Sequence, residues 1–309
     1  MDPKEIAELC CGPGGMALGF SPFFHIVHAI DKAPEVVKTY AANHPETQVR
    51  RQDIRLMTGT RGDFQGLTGI IGGPPCQGSS VINTKRRSKW QGAVDLNLDP
   101  IEEDPRNNLM NEFMRLVDEI RPEFFVMENV PGVPRERKTQ VIQLGEASGY
   151  VVTSKFLNAS QYGAAQTRER WIVVGLRGRP WVIPEPVPAR TVRQAFSGLV
   201  DRWGQMQSRP DTIERLGHSI RGEWIPMDSK KKFKGMIRLD WDRPAPAVVN
   251  LKKVYMVHPD EDRNISLSEA AALQGFPHSY IWHGTQTQIA QMIANAMPSE
   301  MAAAIAGSI

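Results

Sequence analysis

Short apolar runs alternate with amphipathic segments through the first half of the chain. The apolar runs predict strands at residues 6–10, 24–30, 69–71, 124–127, 151–156 and 171–176. The segments between them predict helices from residue 16 and at 34–42, 111–120 and 139–147. Strands interleaved with helices are typical of a doubly wound α/β sheet, whose ligands bind beyond the carboxyl ends of the strands. Reactive residue types that follow a predicted strand are therefore the first candidates for a site.

The pattern changes after about residue 178, where the sequence becomes rich in proline, carries tryptophans and is only weakly periodic. This texture predicts a second, smaller, loop-rich and partly β domain over residues 179–283. An alanine-rich helical pattern returns at 286–309, interrupted by Pro298. We therefore predict one domain from residues 1–178 and 284–309, and a second from 179–283.

Composition restricts the class of protein. The chain has 309 residues, a net charge of +3 and only three cysteines, Cys10, Cys11 and Cys76. So few cysteines give neither a disulfide framework nor a metal-binding spacing, so we expect no metal and a reducing compartment. No stretch is apolar for long enough to span a membrane, and the first residues lack the pattern of a secretory signal. We expect an intracellular, cytoplasmic protein.

A cysteine lies in a rigid turn at residues 72–78 (GGPPCQG), directly after the predicted strand 69–71. Pro74 and Pro75 fix their φ angles, and the two preceding glycines let the chain leave the strand sharply. A nucleophilic thiol needs such a fixed, accessible position near groups that favour the thiolate. The turn alone fits a nucleophilic Cys76 or a buried, inert one equally well.

A glycine turn follows the first predicted strand. Gly12, Gly14 and Gly15 would let the backbone approach a ligand closely. Asp31 ends the next strand, and its separation from the glycines along the sequence is about that at which dinucleotide-binding folds place an acidic residue on the ribose hydroxyls. Asp53 could add a contact from a further strand end. This combination indicates a nucleotide-like cofactor, against the alternative of a structural turn beside a solvated carboxylate.

Charged side chains mark four further places. Glu128 follows the strand 124–127, either solvated at the rim or held in a pocket, where burial would raise its pKa and let it grip a ring nitrogen and an amino group. Gln166, Arg168 and Arg170 alternate and would face one side of an extended segment, or simply line an exposed edge. Basic clusters at residues 85–89 and 230–234 fit either phosphate contacts or solvated loops.

The motifs together resemble those of the C5-cytosine DNA methyltransferases, in the same order along the chain. The matching segments are 8–15 (ELCCGPGG), 74–80 (PPCQGSS), 128–130 (ENV), 166–170 (QTRER) and 294–298 (ANAMP). The resemblance implies a class I methyltransferase fold, with a doubly wound mixed sheet and a smaller target-recognition domain. It also implies a DNA (cytosine-5-)-methyltransferase that uses S-adenosylmethionine and acts on a specific sequence in double-stranded DNA.

The resemblance also implies the chemistry. Cys76 would attack C6 of cytosine, Glu128 would hold N3 and the exocyclic amine, and Arg168 would assist at the ring carbonyl, with Arg170 as a fourth catalytic residue. Addition at C6 makes C5 nucleophilic enough to accept the methyl group, and loss of the C5 proton then expels the cysteine. Because this carbon is unreachable inside a duplex, we expect the base to be flipped out.

The implied ligand contacts form two sets. The cofactor contacts are Leu9, Cys10, Gly12, Gly14, Gly15, Asp31, Lys32, Asp53, Ile54, Pro74, Leu109 and Asn295. The DNA contacts are Gln77, Ser79, Ser80, Lys85, Arg86, Arg87, Gln166, Lys230, Lys231 and Lys232. The region from about residue 181 to residue 238 would read the DNA sequence in the major groove.

Three positions depart from the family's pattern. Cys10 stands where Phe is usual, so we expect an aromatic contact to the cofactor to be missing. Ala247 stands where Thr is common, so we expect a hydroxyl contact to the DNA backbone to be missing, and Ala294 replaces the usual Gly before Asn295. None of the three changes removes a catalytic group. We expect a monomer, associated with the nucleoid of a prokaryotic or phage-infected cell. A cognate restriction endonuclease acting on the same site would be a natural partner.

Three rival functions belong to other classes. A tRNA cytosine methyltransferase would carry the sequence Cys-Phe-Thr, which is absent here. The Gln-Gly-Ser-Ser that follows Cys76 is more similar to the DNA enzymes. A non-catalytic DNA-binding relative would not need Cys76, Glu128 and Arg168. A nicotinamide oxidoreductase on the same class of fold leaves the cysteine and the paired arginines unexplained.

Overall fold

The computed structural model describes residues 4–60, 62–75, 109–200, 202–205, 217, 219–226, 235–251 and 255–309. Cys76 lies outside the described residues. So do nine of the ten predicted DNA contacts, namely Gln77, Ser79, Ser80, Lys85, Arg86, Arg87, Lys230, Lys231 and Lys232.

Seven strands form the main sheet. They are β1 Glu5–Leu9, β2 His25–Asp31, β3 Gln48–Arg51, β4 Gly69–Gly72, β5 Phe124–Asn129, β6 Val151–Asn158 and β8 Glu169–Leu176, whereas β7 Gln166–Thr167 lies apart. Their order is β3-β2-β1-β4-β5-β8-β6. Five strands pair in parallel, and β8 runs antiparallel to both of its neighbours. The mixed, doubly wound sheet that the sequence predicted is therefore confirmed.

Alternation along the strands divides the apolar side chains between the two faces of the sheet. In β5, Phe124 and Val126 belong to one buried cluster, while Phe125 and Met127 belong to the other. Because successive strand residues point to opposite faces, a strand that is apolar throughout needs cover on both sides. Helices α1 Gly15–Phe20 and α2 Pro34–Asn43 supply buried residues to the first face, and α3 Leu109–Ile120 and α4 Arg135–Ala147 supply them to the second.

The second half holds shorter elements. Strands β9 Trp224–Pro226, β10 Gly235–Arg238 and β12 Tyr255–Val257 form a small sheet in the order β12-β10-β9, and β11 Ala245–Pro246 pairs with β7. Helices α5 Val192–Phe196 and α6 Leu267–Leu273 accompany them. One buried cluster contains residues from both sides of position 178, and the division at 179–283 stays a prediction.

The chain ends in two helices, α7 Gln286–Asn295 and α8 Ser299–Ala306, separated at Pro298 as predicted. Helix α8 packs on α1 so closely that a Cβ on Gly19 would lie 2.4 Å from the Ala303 nitrogen. This contact fixes the helix that follows the glycine turn. Among the described residues, no helix is both long and apolar enough to cross a membrane.

Candidate active site

Four segments meet at one edge of the sheet. Strands β1, β4 and β5 are parallel, so their carboxyl ends lie together, and the antiparallel β8 brings its first residues to the same edge. The register places Leu9 beside Gly72, and Asn129 beside Trp171. The glycine turn after β1, the turn after β4, the end of β5 and the start of β8 therefore converge.

The backbone at the end of β4 and the start of the following turn leaves no room for a side chain at two positions, Gly72 and Gly73. A Cβ on Gly72 would lie 2.1 Å from the Leu9 carbonyl oxygen, and one on Gly73 would lie 2.9 Å from Glu128 Oε2. Real Cβ atoms essentially never approach another atom that closely. The backbone of this turn thus lies directly against the Glu128 carboxylate, which ends β5.

Asn129 holds the same turn from the other side. Its side chain is buried, and its Nδ2 donates a 2.8 Å hydrogen bond to the Pro74 carbonyl. Its Oδ1 accepts a 2.9 Å bond from the Val130 nitrogen, which fixes the orientation of the amide. The backbone two residues before Cys76 is therefore tied to the end of β5.

Glu128 forms an ion pair with Arg170. Glu128 Oε1 lies 2.6 Å from Arg170 Nε, and the two side chains are only 10% and 12% exposed. The sequence predicted a carboxylate and arginines at this site, and the structure brings Glu128 and Arg170 into contact. A nearly buried carboxylate held by a cation can accept a hydrogen bond from an amino group of a bound ring.

Arg168 has different partners. It is almost fully buried, and its two terminal nitrogens donate to the carbonyls of Val248 at 2.7 Å and Ala294 at 2.6 Å. Its Nε has no hydrogen-bond partner among the described residues. Burial lowers the pKa of the Arg168 guanidinium, and the neighbouring charge of Arg170 lowers it further. The guanidinium therefore links the residue between β7 and β8 to the segment after β11 and to the end of α7.

Gln166 is fully buried, which differs from the DNA contact expected for it. Its amide nitrogen donates to the Leu273 carbonyl at 2.7 Å and to Gln274 Oε1 at 2.8 Å, and its oxygen accepts from the Val248 nitrogen at 3.0 Å. A side chain with no exposed surface and these three bonds offers nothing for DNA to contact in this conformation. It instead joins three separate segments behind the site.

The glycine turn at residues 10–15, called the glycine loop below, follows the end of β1. Three residues there have left-handed backbones, with φ of 52° at Cys10, 56° at Gly12 and 94° at Gly14. Asp31 receives hydrogen bonds from the Gly12 nitrogen at 3.2 Å and the Ala33 nitrogen at 3.0 Å. A Cβ on Gly12 would meet nothing within 4 Å, so free space lies above this backbone.

Burial raises the pKa of the Asp31 carboxyl, and main-chain N–H groups oppose this shift. The thiol of Cys10 also has a pKa raised by burial, and next by the nearby charges of Asp31 and Asp53. Cys10 therefore lies near the two predicted acidic contacts as a neutral thiol.

The remaining predicted cofactor residues lie in varied surroundings. Asp53 pairs with Arg55 at 2.6 Å, and this contact lowers the pKa of the Asp53 carboxyl. Asn295 is exposed at the end of α7 and accepts a 2.6 Å hydrogen bond from Gln291. Leu9, Ile54, Pro74 and Leu109 are buried, and Lys32 is exposed.

Two residues near the glycine loop had no role predicted from the sequence. Glu8, within β1, accepts a buried 2.8 Å hydrogen bond from the Tyr40 hydroxyl. Burial raises the pKa of Glu8 to about 8. Tyr280 donates to the Pro13 carbonyl. A charged residue inside an apolar strand was a visible signal for Glu8, but nothing local marks Tyr280.

Comparisons with known proteins agree on one family. The family model described as C-5 cytosine-specific DNA methylase matches residues 5–232 and 190–309. Type II methyltransferase M1.HphI of Haemophilus parahaemolyticus is 30% identical over 98% of this chain and 85% of its own length. Type II methyltransferase M.FnuDI of Fusobacterium nucleatum is 28% identical over 99% of this chain and 94% of its own.

A solved structure is similar over the same extent. It is a prophage-encoded protein of E. coli described as a candidate DNA modification methyltransferase. It superposes with a TM-score of 0.78 at 25% identity, covering 98% of this chain and 97% of that one. The similarity thus includes both the main sheet and the second half of the chain.

Proposed function

Because the chain belongs to the C-5 cytosine-specific DNA methylase family, we propose that it methylates C5 of a flipped-out cytosine at a specific duplex DNA sequence, using S-adenosylmethionine. The main support is the pairing of Glu128 with Arg170 directly against the turn that leads to Cys76. A carboxylate and a nucleophile must both reach one flat ring. Glu128 lies in β5, and the turn that leads to Cys76 follows the adjacent strand β4.

The glycine loop is suited to hold the cofactor. The open space above Gly12 would admit a ligand to the backbone, and Asp31 lies at the end of the neighbouring strand β2. S-adenosylmethionine would supply an electrophilic methyl group on a sulfonium. The loop's role is to fix that ligand beside the turn after β4, because β1 and β4 are neighbours in the sheet.

The protein's own residues perform the remaining steps. The Cys76 thiolate forms a bond to C6, and the displaced electron pair moves toward N3. A hydrogen bond from the Glu128 carboxyl group to N3 stabilises this charge, while the other Glu128 oxygen accepts from the exocyclic amine. C5 then accepts the methyl group. Loss of the C5 proton to solvent water leaves its electron pair to form the C5=C6 double bond again, which breaks the bond between sulfur and C6 and restores the thiolate.

Arginine roles follow from their partners. Arg170 contacts Glu128 and holds the carboxylate in place, so we assign it the position beside the base. Arg168 has both terminal nitrogens on main-chain carbonyls, so we assign it a supporting role instead of the ring-carbonyl contact expected from the resemblance. Asn129 fixes the turn before the nucleophile.

The DNA sequence would be read by the region from residue 181 to residue 238. The curated relatives are Type II methyltransferases, which supports a role in restriction and modification beside an endonuclease of the same specificity. The basic residues at 85–87 and 230–232 remain the proposed phosphate contacts.

Methylation in a host without cytosine methylation tests this function. We expect bisulfite sequencing of the host DNA to reveal 5-methylcytosine at one recurrent sequence. Cys76→Ala and Glu128→Gln should abolish the signal, whereas Tyr150→Phe, which removes a buried hydroxyl bonded to the Pro122 carbonyl away from the site, should retain it. Normal methylation by Cys76→Ala would exclude the proposed nucleophile, and methylation of adenine alone would exclude the proposed reaction.

A further inference from the structure

Tyr280 reaches the glycine loop from the far end of the chain. Its hydroxyl donates a hydrogen bond to the Pro13 carbonyl, and His44 Nε2 lies 3.2 Å from the Tyr280 hydroxyl oxygen. A tyrosine hydroxyl has one proton, so once that proton is used on Pro13 the imidazole must be the donor. Burial lowers the pKa of His44 to about 4, so the ring is neutral near pH 7 and supplies this bond from its Nε2–H tautomer.

The glycine loop lies directly on this pair of side chains. A Cβ on Gly14 would lie 2.6 Å from the Tyr280 oxygen and 2.7 Å from His44 Nε2. The Gly14 nitrogen also donates to the Cys11 carbonyl at 3.3 Å. The peptide unit between Pro13 and Gly14 is therefore held at its carbonyl by Tyr280 and at its N–H by the loop itself. Because the peptide is planar, these two bonds set its orientation.

Tyr280 is itself held rigidly. Its ring packs on Phe276 and Trp282, with centroids 4.8 and 5.2 Å apart, and the side chain is 7% exposed. The next residue, Ile281, exchanges two 2.8 Å hydrogen bonds with the side chain of Asn43 in α2. The phenol is thus a fixed point relative to the sheet, and not a side chain that follows the loop.

We propose that Tyr280 is a positioning residue for the cofactor, because its hydroxyl holds the Pro13 peptide and so keeps the glycine loop in the conformation that receives S-adenosylmethionine. This inference depends on the proposed function, since it assigns that ligand to the loop. Tyr280 makes no contact with the reacting atoms in this proposal. Its loss should therefore weaken cofactor binding and leave the chemical step unchanged.

The test compares Tyr280→Phe with Tyr150→Phe. Tyr150 is a matched control, because its buried hydroxyl also donates to a proline carbonyl, that of Pro122 at 2.8 Å, away from the glycine loop. We expect Tyr280→Phe to raise the Kd for S-adenosylmethionine, measured by calorimetry, and the KM in methyl transfer by roughly threefold to tenfold. The kcat at saturating cofactor should stay within about twofold, and Tyr150→Phe should change neither constant.

Each outcome decides a separate point. If wild-type protein methylates DNA but Tyr280→Phe binds the cofactor as tightly as wild type, the positioning role is refuted and the function stands. If Tyr150→Phe weakens binding equally, the effect is general destabilisation and the inference also fails. If wild-type protein binds no S-adenosylmethionine, the proposed function fails first. Should Tyr280→Phe not fold, His44→Ala removes the donor that orients the Tyr280 hydroxyl proton toward Pro13. The Kd should then rise by a smaller factor, and an unchanged Kd would refute the positioning role.

Discussion

The ion pair of Glu128 and Arg170 should have an asymmetric effect on stability. The two side chains are 10% and 12% exposed, and breaking a buried pair by removing one partner costs roughly 3–5 kcal/mol. Arg168 changes this balance, because its charge is repelled by Arg170 and attracted by Glu128. Glu128→Gln leaves two adjacent cations and should cost about 4 kcal/mol, whereas Arg170→Met leaves the carboxylate a second cation and should cost about 2 kcal/mol.

Urea unfolding of the two single variants and the double variant measures this coupling. We expect the double variant to be less destabilised than the sum of the single variants, by about 2 kcal/mol. Arg193→Met provides the control, because Arg193 and Asp242 form a pair at 3.0 Å that is 59% and 75% exposed, and it should leave the urea midpoint unchanged. Additive costs, or a larger loss from Arg170→Met than from Glu128→Gln, would refute the reasoning.

Two further predictions concern neighbouring groups. Asn129→Ala removes the 2.8 Å hydrogen bond to the Pro74 carbonyl, so the turn before Cys76 loses its anchor. We expect kcat to fall by roughly tenfold while the cofactor Kd stays unchanged. An unchanged kcat in steady-state methyl transfer would contradict this. Burial raises the pKa of Glu8 from 4.5 to about 8, so the folded protein keeps a proton that the unfolded chain releases. The free energy of unfolding should therefore lose up to about 1.4 kcal/mol per pH unit between pH 5 and pH 8, and Glu8→Gln should lack this part of the slope in urea titrations. Equal slopes in both proteins would show that Glu8 does not titrate as described.

The fold could be predicted from the sequence where burial imposes a pattern. Strands β1, β4 and β5 are apolar on both faces, and their positions follow from that composition. Strand β3 is short and polar at the edge of the sheet, so the pattern indicated its presence only through Asp53 after it. The bounds of β5 were predicted too short, because Glu128 and Asn129 are polar yet continue the strand.

The site was predictable in its residue types but not in its pairings. Arg168 and Arg170 alternate along one segment, and only the register of β8 against β5 decides which of them meets Glu128. Gln166 looked like a polar surface residue, but its partners Leu273 and Gln274 are more than a hundred positions away. Such distant contacts follow from the packing of whole segments and leave no local periodic signal.

The most direct test of the central claim is covalent trapping on modified DNA. Duplex DNA with 5-fluorocytosine at the methylated site cannot release fluorine as a proton, so the bond between Cys76 and C6 should persist after methyl transfer. With S-adenosylmethionine, wild-type protein should give a complex that survives denaturing electrophoresis, and Cys76→Ala should give none. A wild-type protein that methylates ordinary DNA but forms no such complex, or a complex that persists in Cys76→Ala, would contradict the account.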